Sequence, residues 1–205
     1  MMELRDALTQ ITEIRLQLAR TEVFRGYRAM PVAFSGGVAV LAALIQTLTI
    51  PDPSTQTGPY LGLWIGAAVV SALAAGLEMM IRARNAASAM TRELTSLALE
   101  QFCPSLIGGA LVTVVLLRAA PESLWMLPGL WQIFYSLGIF ASCRLLPRPT
   151  FWVAVFYLGT GLAVLAWPHG EGALSPWVMG LPFGAGQLLA AAVLYLTLER
   201  DHVSD

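Results

Sequence analysis

The sequence predicts an all-α integral membrane protein. Six transmembrane helices form three antiparallel hairpins, joined by an amphipathic N-terminal cytoplasmic helix and a second cytoplasmic helix between spans 2 and 3. Three observations predict this. Of 205 residues, 57% are apolar and only 12% charged, where a soluble domain carries about 25% charged residues. The apolar residues gather in six long stretches. All 12 basic residues are arginines, and all but Arg118 fall in alternate gaps between those stretches.

A span needs roughly 20 apolar residues to cross about 30 Å of hydrocarbon at about 1.5 Å per residue. The stretches are Pro31–Ile50, Tyr60–Ile81, Pro104–Leu117, Leu124–Cys143, Phe151–Trp167 and Trp177–Leu198. The third is short, held between Pro104 and Pro121, and must borrow length from Leu94–Phe102 or thin the bilayer locally.

Orientation follows from the arginines, which are retained on the cytoplasmic side. Arg5, Arg15, Arg20, Arg25 and Arg28 precede the first span, and Arg82, Arg84 and Arg92 follow the second. Arg144 and Arg148 follow the fourth, and Arg200 the sixth. Both termini are therefore expected in the cytoplasm. The outer loops are then Pro51–Pro59, Arg118–Ser123 and Pro168–Pro176, too short to hold an external domain. Trp64, Trp125, Trp131, Trp167 and Trp177 lie toward the outer side and Trp152 toward the inner. That suits a ring whose apolar body and N–H favour the headgroup level.

Residues 1–29 form the amphipathic cytoplasmic helix, 30–198 the bundle and 199–205 a tail. In the first, Leu4, Ala7, Ile11, Ile14 and Leu18 alternate in steps of three and four, with Leu8 widening the face. That is a seam able to lie on the inner leaflet or pack on a partner. The second cytoplasmic helix, about 85–102, has Met90, Leu94 and Leu97 as its apolar line. No short apolar core with a small-residue cleavage site precedes the first span, which is expected to act as an uncleaved insertion signal.

A repeat is suggested by Pro59-Tyr-Leu-Gly-Leu-Trp64 opening the second span, Pro128-Gly-Leu-Trp131 early in the fourth and Pro176-Trp177 opening the sixth. Pro31 before Gly36-Gly37 and Pro104 before Gly108-Gly109 fit the same scheme. Small residues spaced by four (Gly62 with Gly66; Ala67, Ser71 and Ala75; Gly180 with Gly184) read as helix–helix faces.

Ionisable groups in the membrane are costly and mark function. Glu78 is the one carboxylate within a span, and Arg82 one turn on can neutralise it at i, i+4. The uncharged polar set is Gln46, Ser71, Thr113, Gln132, Tyr135, Ser136, Ser142, Tyr157, Thr160 and Gln187. Gln187 follows the run Gly180-Leu-Pro-Phe-Gly184-Ala-Gly186, where Pro182 frees a backbone carbonyl. Such a break can line a binding cavity, or pack tightly on a neighbour with Gln187 bonded across helices. Arg118 is expected to reach headgroups or to grip an anionic substrate.

Only two histidines occur, His169 in an outer loop and His202 in the tail, so neither a Ser–His pair nor a zinc cluster can form at depth. Cys103 and Cys143 show no metal or disulfide spacing and are expected as free thiols near the inner face. The net charge of −1 gives no basis for nucleic-acid binding. No catalytic residue, cofactor or metal site is expected, and the sequence argues against an enzyme.

The first functional expectation is a regulatory, sensing or scaffolding module that associates through its cytoplasmic helices, with Leu4, Ile11, Ile14 and Leu18 as contact residues. Its partners are membrane lipids and a second copy or a protein. The second is a small transporter or lipid-handling protein using Glu78, Pro182, Gln187 and Arg118. Many alanines and glycines with arginine but no lysine fit a GC-rich bacterial gene, hence the cytoplasmic (inner) membrane.

Overall fold

A computed structural model describes residues 29–85, 89–166 and 172–199, but not the side chains of 82, 83, 85, 89–96, 98, 198 and 199. The N-terminal segment with Leu4, Ile11, Ile14 and Leu18, the loop residue His169 and the tail lie outside the described residues. What is described is helical, with no strand. The elements are α1 (Ala29–Thr49), α2 (Thr57–Asn85), α3 (Ala89–Ala119), a 3-10 turn (Pro121–Met126), α4 (Leu127–Ser142), α5 (Thr150–Ala166) and α6 (Pro176–Leu194). A π-helical turn, Tyr195–Glu199, continues α6.

Five helical stretches are long and apolar enough to cross a membrane: Ala29–Thr49, Thr57–Ile81, Leu99–Ala119, Pro121–Ser142 and Pro176–Thr197. Thr150–Ala166 is apolar but shorter, at 17 residues. The third span gains its length as the sequence allowed, from the residues before Pro104. The expected separate helix over 85–102 is not a separate element, because α3 runs unbroken through Pro104.

Prolines punctuate the starts. Pro121, Pro128 and Pro176 occupy first-turn positions, where a missing N–H leaves no bond unmade. Hydroxyls on the helices bond back to carbonyls a turn earlier: Thr47 to Ala43, Thr113 to Gly109, Thr160 to Phe156 and Thr197 to Val193. A polar side chain can thus sit in an apolar helix without an unmet donor.

The most extensive packing joins α1 to α6, then α4 to α5; α3 on α4 and α2 on α1 follow. The first and last helices therefore close the bundle. Glycines set these contacts. A Cβ at Gly180 would lie 2.5 Å from Ala43 Cβ, and one at Gly129 would lie 2.8 Å from the Gly161 carbonyl. Close backbone approach is the main attraction between helices in lipid. By contrast, only 17% of the α2 span and 11% of the α3 span is buried within the chain, against 39% for the α6 span, so these two helices are peripheral. The pair Gly62 and Gly66, expected as a helix contact, meets nothing within 4 Å, unlike Gly180 and Gly184.

At one end lie Trp64, Trp125, Trp131 and Trp177; at the other lie Arg84, Arg144 and Arg148. At the tryptophan-rich end, Trp64 Nε1 donates to Gln46 Oε1 at 2.7 Å, and Gln46 Nε2 donates to the Leu174 carbonyl at 2.8 Å. In the next hairpin Trp131 Nε1 donates to Thr113 Oγ1 at 2.8 Å. Both tryptophan bonds join residues 18 apart, so the first two hairpins share a contact as well as a sequence pattern.

Candidate functional site

The run around Pro182 lies where α4, α5 and α6 meet. A proline inside a helix lacks the N–H that would reach the carbonyl four residues earlier, and for Pro182 that carbonyl belongs to Val178. Gln132 of α4, fully buried, donates its Nε2–H to the Val178 oxygen at 3.1 Å. The side-chain amide stands in for the missing backbone donor. Its Oε1 is buried without a hydrogen-bond partner.

Of the two expectations for Gly180–Gln187, a break or a packed proline with Gln187 bonded across helices, the structure has the second: α6 is continuous from Pro176 to Leu194. Besides the Gln132 bond, close packing holds it. A Cβ at Gly184 would lie 2.8 Å from Val40 Cγ2 of α1, and one at Gly186 would lie 2.5 Å from the Tyr157 ring.

One turn beyond, Gln187 is 6% exposed and donates its Nε2–H to the Tyr135 hydroxyl at 2.6 Å. Tyr135 sits in an aromatic cluster. Its ring centroid lies 4.9 Å from Tyr157, 5.4 Å from Phe102 and 5.6 Å from Phe183, all with steeply inclined planes. Such edge-to-face pairs place the positive rim of one ring on the negative face of another. Tyr157 donates its hydroxyl to the Phe183 carbonyl at 3.4 Å, and Ser136 donates to the Ala154 carbonyl at 2.7 Å. Four helices thus meet around one polar and aromatic core.

The other sequence candidates are not drawn into it. Glu78 is half-buried on α2, whose principal packing is on α1; the side chain of Arg82 is not described. Arg118 is exposed in the last turn of α3, about 24 Å along that helix from Phe102. Cys103 is exposed and Cys143 half-buried, both free thiols.

The sequence alone does not pair Gln132 with Val178. The signals are present: Gln132 is one of few polar residues in the spans, and counting four back from Pro182 gives Val178. Which helix would bring the amide was not legible. Among the described residues no group of three His, Cys, Asp or Glu side chains is placed to hold a metal ion. No family model, curated protein or solved structure matches this chain.

Proposed function

We propose that this chain is a non-enzymatic multi-pass membrane protein, a regulatory, sensing or scaffolding module that associates through its cytoplasmic helices. In this reading both termini face the cytoplasm and the membrane is the bacterial inner membrane. The supporting observation is how the interior polar groups are used. Gln46, Trp64, Gln132, Ser136, Tyr157 and Gln187 each donate to another part of the bundle. Polar groups used in this way favour recognition by other segments, and in the sequence Leu4, Ile11, Ile14 and Leu18 are spaced for an apolar helical line.

The test is the mass of the purified protein in detergent or nanodiscs, with and without residues 2–24. A defined oligomer or partner complex that falls to a monomer on truncation, and likewise in Ile11→Glu with Leu18→Glu, supports the reading. Unchanged assembly in both overturns it.

A second reading, a small transporter or lipid-handling protein, is favoured by one observation: the buried Gln132 Oε1 beside Pro182 is an acceptor with no partner. Substrate movement that is lost in Gln187→Leu would select this reading over the first.

A further inference from the structure

We infer that the connection between α4 and α5, with the outward face of α5, is a binding site for one anionic phospholipid. Residues 143–149 form a tight turn rather than a loose loop. Leu145 N–H donates to the Ser142 carbonyl at 2.9 Å, Thr150 N–H to Pro147 at 2.9 Å and Trp152 N–H to Pro149 at 3.1 Å. Leu145 is buried, while Arg144 and Arg148 are exposed. Among the described residues neither arginine has an acidic partner. Two exposed arginines four residues apart on one connection suit a phosphodiester, whose oxygens accept paired N–H bonds.

The surface below the arginines suits the rest of a lipid. Trp152 is 68% exposed and Phe151 46% exposed, at the first turn of α5. Rings so placed lie at the depth of the glycerol and headgroup. Along α5, Val155, Gly159 and Leu162 continue an exposed apolar line, and a Cβ at Gly159 would meet nothing within 4 Å. The glycine leaves a notch in which an acyl chain can lie. At this end of α5, headgroups beside Phe151 and Trp152 meet Arg144 and Arg148. These features hold whichever leaflet the turn faces, so the site does not rest on the proposed function.

The test uses the full chain in nanodiscs of mixed phosphatidylcholine and phosphatidylglycerol, with retained lipid read by native mass spectrometry. Wild type is expected to retain phosphatidylglycerol preferentially, and Arg144→Gln with Arg148→Gln to lower that preference by roughly tenfold. Arg84→Gln, exposed at the same end but on α2, is the control and is expected to keep it. An unchanged preference in the double variant, or an equal loss in the control, overturns the site. If the double variant does not fold, Gly159→Leu decides, because it fills the notch at an exposed position and spares the turn. Lowered retention then supports the site, and wild-type retention overturns it.

Discussion

Gln132 completes a hydrogen bond that Pro182 cannot make: its side-chain amide donates to Val178, the carbonyl left without its usual donor four residues on. The proline keeps its place in α6 because a residue of α4 answers it. Removing the amide in Gln132→Leu should cost about 1 kcal/mol, the scale of an interhelical bond in a membrane. In a Pro182→Ala background the new N–H at 182 reaches Val178, and the same substitution should cost less. A double-mutant cycle on thermal unfolding in detergent checks this; strictly additive effects would show that the two residues are not coupled.

The glycines divide into two groups with opposite expectations. Gly186→Ala drives a methyl against the Tyr157 ring and Gly180→Ala against Ala43, each expected to destabilise by about 1–3 kcal/mol. Gly62→Ala and Gly66→Ala meet open space and should be neutral or slightly stabilising, since alanine favours helix over glycine. Melting temperatures of the four variants, each purified as a monomer, separate the groups. A loss at Gly62 or Gly66 appearing only in an assembled form would place that face of α2 in an interface.

Gln187 and Tyr135 should behave as a pair. Tyr135→Phe leaves the Gln187 donor unmet, and Gln187→Leu removes the partner of the Tyr135 hydroxyl. Each alone is expected to destabilise by about 1 kcal/mol, while the double variant is expected to lose less than the sum, because an apolar pair leaves nothing unsatisfied. Thermal unfolding of the three variants reads this directly.

Asp52 offers a pH effect outside the membrane. The Ser54 hydroxyl donates to Asp52 Oδ1, the largest of the influences that hold this carboxyl below its usual range; Thr55 adds to it. A depressed carboxyl contributes stability above its unfolded pKa and loses it as pH falls through the folded value. The group is fully exposed, so the effect on unfolding is small. A carboxyl titration by NMR should show a midpoint below 3.8 in wild type, moving upward in Ser54→Ala.

The spans were legible because hydrocarbon imposes a length and a composition that few other settings demand, and five stretches of Ala29–Thr197 meet both. Boundaries were less legible. Pro104 reads as a start, yet it lies within α3, since a helix in lipid can pass through a proline when neighbours support it. Pro182 reads as a break or as a packed kink, and the residue that decides between them sits fifty residues earlier at Gln132. Small-residue spacing was ambiguous for the same reason. Gly180 with Gly184 and Gly62 with Gly66 have the same pattern, and only tertiary structure tells which pair meets a neighbour.

The close contact of α1 with α6 bears on how the protein is made. Helices enter a membrane in the order of synthesis, so the face of α1 carrying Gly36 waits through the insertion of four others before its main neighbour arrives. Until then Gly36 and Ala43 present a groove with no helix in it. A chain interrupted before Pro176 would carry that groove permanently, a ready mark for membrane chaperones and proteases to tell a finished bundle from an unfinished one.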